Sequence, residues 1–404
     1  MEATPGQEAC FRLAVACCRW PGDARRDAAV TAAAREVNDW SLFLRLVRHY
    51  RVEALAQAAL SAAGIPLPDE VAKSLCQRAK EIAHRNLAMA AESARLQGLL
   101  DAAGIHSLVL KGVALAQLAY GSIAFKFSQD IDLAVAPLSV DAAADVLSRE
   151  GYRLIRPASH LDASRRALVA AYGREIGLRH SERPIEVELR WQLVNSPSLI
   201  AGIDASSPSQ DVALGGALSV RTLCDEDLFA YLCVHGCGHG WSRLQWLADL
   251  NAFIGARGEV ELQDLYRHAR AVGAGPCALI ALVLCERLFG REVPADIMRG
   301  LRASPRTRLA VALSLDLLTG ADGAAKPGDR RFATTRVAVM QWLLGSTFTH
   351  YGSTVREMSF RLDDMLAWPL PRPLHLLYPL SRLPLWLWRK FGPAPRSRRE
   401  TGSA

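Results

Sequence analysis

Residues 127–135 read FSQDIDLAV, two aspartates one residue apart inside an otherwise apolar run. On a strand, successive side chains point to opposite faces, so Asp130 and Asp132 share one face and Ile131 and Leu133 the other. Two carboxylates held side by side repel, and each raises the other's pKa unless positive charge lies between them. A metal ion, a basic side chain or water at a strand end meets that need. A fold that buries this strand must therefore also deliver a cation to one of its faces.

The flanking sequence sets the rest of the architecture. Residues 1 to about 100 are helical by pattern: DARRDAAVTAAAREVNDWSLFLRLVRHYRVEALAQAALSAAG repeats apolar residues at three- and four-residue spacing and stops at Gly64 and IPLPDE. A long helix follows from about Asp69 to Ala103, ending at Gly104. The rhythm then changes. HSLVL is a strand, KGVALAQLAY a helix, IDLAV a strand, SVDAAADVLSREG a helix with Ser139 as N-cap, and YRLI a strand. REIGLRH and PIEVELRWQL read as a hairpin joined at SERP. Beyond about residue 222, TLCDEDLFAYLCVHG and SRLQWLADLNAFIGARG open a second helical region, with a loop at LTGADGAAKPGDRR and one more helix at 332–345. The expected class is α+β. A small mixed-sheet domain (96–200) is flanked by an N-terminal helical segment (1–95) and a C-terminal helical domain (201–404) with a Pro/Trp-rich basic tail.

Composition narrows the function. The 404 residues suffice for two or three cores, and 50% hydrophobic with 22% charged residues excludes a disordered chain. A net charge of +7 and a pI near 9.0 suit a nucleotide or another phosphate-bearing partner, though solubility alone also accounts for them. Nine cysteines without dense spacing read as reduced thiols in a cytoplasmic protein. MEATPGQEACFRLAVACCRWPGD lacks the features of a signal peptide, and the longest apolar run, PCALIALVLC, has core-helix length. The tail PLSRLPLWLWRKFG, with Trp386 and Trp388, raises a peripheral membrane contact. Pro379 and Pro384 break a regular amphipathic helix there and favour packing against the helical domain.

The paired carboxylates have a counterpart in IEVELRW, where Glu186 and Glu188 also share a strand face. If that strand lies beside IDLAV, up to four carboxylates converge. LVLKGVALAQLAYG adds a strand, a sharp turn at Lys111 and Gly112, and a helix whose N-terminus offers free N–H groups to phosphate. Phosphate on one side and carboxylates on the other is the layout for metal-assisted phosphoryl or nucleotidyl transfer. Taken singly, each element is also an ordinary strand–helix turn or a solvated strand face. CVHGCGHGW alternates Cys233, His235, Cys237 and His239, but on a helix positions i and i+2 diverge by about 200°, so the four do not converge on zinc. There His235 or His239 lines a nucleotide cleft, or both cap packing at a helix end. Neither a P-loop nor an RNA-binding motif occurs.

Taken in order, LVLKGVALAQLAYG, FKFSQDIDLAV and IEVELRWQL resemble the nucleotidyltransferase superfamily related to DNA polymerase beta, and more narrowly the bacterial group of uncharacterised nucleotidyltransferases. The resemblance implies that Asp130, Asp132 and Glu188 are the catalytic and metal-binding carboxylates, with Mg²⁺ as cofactor and Mn²⁺ the alternative. It places Lys111 and Gly112 on the Lys-Gly turn of the narrower group. Lys126 stands where an arginine is usual, and Arg190 where a histidine is usual. HGCGHGWSRLQWLADL resembles the group's helical region, with His235, His239, Trp241, Arg243, Trp246 and Asp249. Lys111, Gly112, Lys126, Arg190, His235, His239 and Arg243 are thereby implied in nucleotide binding. The implied reaction moves a nucleoside monophosphate from an NTP to an acceptor hydroxyl or phosphate on a small molecule, peptide or protein. The alternatives are a catalytically silent scaffold that binds a nucleotide or a partner, and an aminoglycoside-type or antitoxin-like enzyme with the same chemistry on another acceptor.

Overall fold

Four short helices open the chain: α1 (Pro5–Cys17), α2 (Ala24–Ala34), α3 (Trp40–Tyr50) and α4 (Glu53–Ala62). The structure is a computed structural model describing residues 4–157, 161–319, 333–345 and 347–380. Side chains at the N-caps of three of these helices satisfy free N–H groups: Thr4 with Gln7 in a capping box, Asp23 for α2 and Asp39 for α3. The long helix α5 (Asp69–Ala102) ends where Gly104 turns left-handed, as its sequence requires.

The sheet then forms from β1 (Ser107–Val109), α6 (Gly112–Tyr120), β2 (Ile131–Val135), α7 (Val140–Arg149), β3 (Tyr152–Arg156), α8 (Ala163–Tyr172), β4 (Glu175–His180) and β5 (Glu186–Arg190). Strand order is β1-β2-β5-β4-β3. β2 and β5 run parallel and every other pairing is antiparallel. All five residues of β2 are buried, so it is a central strand covered on both faces. The β4–β5 hairpin forms as the SERP turn predicts. Helix α8 and a second hairpin, β6 (Ser209–Gly215) with β7 (Leu218–Leu223), lie in segments given no element from the sequence. Ser139 precedes α7 but belongs to a 3₁₀ turn with helical backbone, so its hydroxyl does not cap the helix.

Further helices follow: α9 (Asp225–Gly238), α10 (Leu244–Gly255), α11 (Glu259–Ala271), α12 (Gly275–Phe289), α13 (Ala295–Ala303), α14 (Pro305–Thr319), α15 (Ala333–Leu343), α16 (Phe348–Ser359) and α17 (Leu362–Ala367). One hydrophobic core joins α1–α4 to α9–α12, through residues such as Phe43, Phe229, Phe253 and Leu282. A second packs the sheet against the C-terminal half of α5, and Met365, Leu366 and Tyr378 add to it. The loop expected at LTGADGAAKPGDRR and the tail with Trp386 and Trp388 lie almost entirely outside the described residues. Among the described residues no helix is long and apolar enough to cross a membrane.

Candidate active site

A cleft of about 350 Å³ opens between the sheet and helices α9 and α10. The sequence builds its floor in two strokes. At the end of β1 the Leu110 N–H donates to the Asp132 carbonyl at 3.1 Å, which keeps the chain in register with β2 up to the turn. Gly112 then takes a left-handed φ of 58° as α6 begins. A Cβ at this position would sit 3.8 Å from the Asp130 carbonyl and 3.9 Å from Ser128 Oγ. There is room for a methyl group, so the backbone conformation itself is what asks for glycine.

The segment entering β2 is held by side chains on four consecutive carbonyls. Asn86 Nδ2 donates to Lys126 O at 2.6 Å and Gln245 Nε2 to Phe127 O at 2.8 Å. Arg85 donates to Ser128 O at 2.8 Å and to Gln129 O at 2.6 Å. Helices α5 and α10 thus fix the loop that aims Asp130 into the cleft. The Ser128 hydroxyl on this loop is buried and has no hydrogen-bond partner among the described residues. A buried hydroxyl left unpaired costs stability and calls for an explanation such as a ligand.

The β2–β5 register sets Asp132 directly opposite Glu188. The fourth carboxylate is Glu175 of β4, not Glu186. Glu186 is held by Arg156 at 3.3 Å and by Arg179, and it is not part of the cleft lining. Arg156 bridges Glu186 and Glu188, so the two share a face as parity predicts, but Glu186 stands at the far end of β5 from Arg190 and does not line the cleft. Arg190 binds three of the acids: Asp132 at 2.8 Å, Glu175 at 2.5 Å, and Glu188. Lys111 takes the other oxygen of Asp132 at 3.2 Å, and Arg156 the other oxygen of Glu188 at 3.1 Å. Among the described residues Asp130 has no ion pair or hydrogen bond through its side chain.

These partners split the acids electrostatically. Burial raises the Asp130 pKa and the neighbouring Asp132 raises it further, against Lys111 and Arg190. For Asp132 burial pulls the same way, but Lys111 and Arg190 outweigh it and hold the carboxyl below its ordinary range. Burial lifts Glu188 to about 7, with Asp132, Asp130 and Glu175 adding to the rise and Arg190 opposing it. A carboxyl raised in the folded state contributes stability at low pH that is lost as pH rises, here between the ordinary value of 4.5 and about 7. Unfolding of the metal-free protein at about pH 5 and about pH 8 is expected to show this slope, on the order of 2 kcal/mol. Glu188→Gln should flatten it, and an unchanged slope in the variant would place the titration elsewhere.

The opposite wall comes from α9 and α10. Helical spacing sorts the alternating Cys and His residues into two faces. Cys233 and Cys237 are buried in the core, where Cys237 Sγ contacts the Cys277 carbonyl at 3.7 Å, while His235 and His239 face the cleft. The two imidazoles and Trp246 pack together, with centroids 4.7 Å apart for the histidines and 5.0 Å for His239–Trp246. Burial and the charge of Lys111 hold the His235 pKa well below its usual value; the same two causes lower His239 to about 4. Both shifts favour the neutral imidazole. Arg243 lies 5.4 Å from the Trp246 ring centre. Lys126 is turned to Asp249 at 2.9 Å, and Tyr120 donates to the same carboxylate at 2.9 Å, so Asp249 links α10 to the loop before β2.

The cleft thus gathers Lys111, Gly112, Lys126, Asp130, Asp132, Glu188, Arg190, His235, His239 and Arg243, all singled out from sequence. It adds Arg51, Ser128, Glu175 and Gln245, which were not. Carboxylates at a strand end thus lie beside a glycine turn and under a helical wall. A family model described as uncharacterised nucleotidyltransferase matches residues 36–290, from before α3 to the end of α12, and the chain belongs to that family. No curated protein matches the sequence.

Proposed function

We propose that the protein transfers a nucleoside monophosphate from an NTP to an acceptor hydroxyl or phosphate, releasing pyrophosphate, on a polymerase-beta-like nucleotidyltransferase fold. The observation that carries this reading is the convergence of Asp130, Asp132 and Glu188 beside the Gly112 turn. The Gly112 turn and the N-terminus of α6 would receive the triphosphate, with Lys111 neutralising its charge. The neutral ring surface of His239 and Trp246 would stack the base. Glu188, held near neutrality, is suited to take a proton from the acceptor. All nine cysteines are free thiols, which supports a reducing compartment such as the cytoplasm.

The donor set suits Mg²⁺, or Mn²⁺, in chemistry: three carboxylates offer only oxygen, and Asp130 is free of ion pairs among the described residues. Burial first, and the neighbouring carboxylates after it, raise the pKa of Asp130 and Glu188, so a cation bound at these acids would favour their charged forms. Among the described residues no group of three or more His, Cys, Asp or Glu is already arranged around a metal position. Arg190 bridges Asp132 and Glu188, so those two would serve as ligands once it swings aside. A bound divalent ion would supply charge neutralisation at the phosphates and activation of the attacking oxygen.

A second reading, a scaffold that binds a nucleotide or a partner without transfer, draws on the occupation of both Asp132 oxygens by Arg190 and Lys111. Calorimetric titration of a non-hydrolysable ATP or GTP analogue with and without Mg²⁺, followed by incubation with α-labelled NTPs, separates the two. Mg²⁺-dependent binding with label transfer is the expected result. Metal-independent binding without transfer supports the scaffold, and no nucleotide binding at all overturns nucleotidyl transfer and leaves only a partner-binding scaffold.

A further inference from the structure

One lining residue of the cleft comes from the N-terminal helices. Arg51 ends α3 in a left-handed backbone conformation, φ 59° and ψ 40°, which glycine or asparagine adopts at lower cost. Its guanidinium donates to Gln129 Oε1 at 2.6 Å and lies 5.1 Å from the centre of the Phe127 ring. Arg85 lies 5.8 Å from the same ring and donates to the Ser128 and Gln129 carbonyls. Among the described residues neither guanidinium has a carboxylate within ion-pair distance. Glu53, which attracts Arg51 from farther off, is paired with Arg78 at 3.1 Å. Burial, and the like charge of Arg85, press the Arg51 pKa down against the pull of Asp130 and Glu53.

The hydrogen bonds of these two half-buried guanidinium groups go to neutral acceptors, and near them the Ser128 hydroxyl has no hydrogen-bond partner among the described residues, so this edge of the cleft holds two cations that no carboxylate pairs directly. We propose that Arg51, backed by Arg85, is an anion site in the cleft that binds a phosphoryl group of a substrate. The inference rests on the nucleotidyl-transfer reading and names a recognition element for it. A guanidinium presents a planar fork matched to phosphate oxygens while its face stacks on an aromatic ring, which a lysine does not do. The phosphoryl group belongs either to the NTP triphosphate or to a phosphate-bearing acceptor.

The test compares the full-length protein with Arg51→Gln and Arg51→Gly, titrating a non-hydrolysable ATP analogue with Mg²⁺, then AMP, then inorganic phosphate onto analogue-saturated protein. Loss of analogue affinity by about tenfold or more in Arg51→Gln, with AMP less affected, assigns the site to the triphosphate. Unchanged analogue binding with loss of phosphate binding assigns it to the acceptor. Equal binding of every probe by wild type and Arg51→Gln overturns the inference and leaves the nucleotidyl-transfer reading standing. Failure of the wild type to bind analogue or phosphate overturns both. Arg51→Gly, which relaxes the backbone, should lose the same binding without a lower Tm. A lower Tm with binding intact would make Arg51 a structural residue and end the proposal.

Discussion

Asp130→Asn is expected to abolish Mg²⁺-dependent nucleotide binding and transfer, by about 10³-fold or more, while leaving the folded protein as stable as wild type or more so. Asp132→Asn should be equally inactive but should unfold more easily, by about 3–5 kcal/mol. The two aspartates share a strand face, yet their surroundings differ. Asp132 is buried between Lys111 at 3.2 Å and Arg190 at 2.8 Å, so its neutralisation strands two cations. Asp130 has no such partner among the described residues, and its raised pKa means that its charge works against folding at neutral pH. The pH dependence runs oppositely for the two. The Asp132 contribution is present above its unfolded value and is lost as pH falls through its lowered folded pKa. Asp130 costs stability as pH rises through its raised one. Denaturant unfolding of both variants, alongside label transfer from an α-labelled NTP, measures the split. Equal destabilisation by both substitutions would refute the assigned ion pairs, and an active Asp130→Asn would remove the carboxylate from the chemistry.

The legible part of this site lay in local periodicity. IDLAV emerged as a strand with its bounds as read, because an apolar run between turn signals leaves little else open. The i, i+2 spacing put Glu186 and Glu188 on one strand face, and the family resemblance singled out Glu188, which lines the cleft. Parity along one strand cannot say which neighbouring strand supplies a further acid: Glu175 carried no signal, and Glu186, raised as a conditional fourth acid, pairs with Arg156 and Arg179 outside the cleft lining. The hairpin β6–β7 did carry a signal in LGGAL, where Gly215 closes β6 and Gly216-Ala217 form a two-residue turn before β7. Arg51 had none: a helix ending at RV gives no hint that its guanidinium crosses to a loop some eighty residues on and stacks on Phe127. Non-local contacts of that kind come from how α3 packs on α5 and α5 on the strands, which no local window of sequence encodes.

Arg190→Gln provides the sharpest test of how the site is balanced. In the folded protein this one guanidinium offsets Asp132, Glu175 and Glu188, and among the described residues no other forms an ion pair with all three. Its removal leaves crowded carboxylates with Lys111 and Arg156 as the nearest cations, an uncompensated charge cluster worth about 3 kcal/mol or more of stability. Part of that loss should return at low pH, because protonation of Glu188, already raised to about 7, relieves the repulsion. A divalent cation should restore it at neutral pH, since an ion that binds only the folded state stabilises it by mass action. Mg²⁺ should therefore raise the Tm of Arg190→Gln by more than that of wild type, in which the ion competes with the guanidinium for Asp132 and Glu188. Arg190→His, the residue the family resemblance favours here, should behave like wild type below about pH 6 and like Arg190→Gln above it. Thermal unfolding of the three proteins across pH, with and without Mg²⁺, reads all of this at once. If Mg²⁺ stabilises wild type and Arg190→Gln equally, the guanidinium and the metal do not share these carboxylates, and Arg190 is a structural strut beside the site.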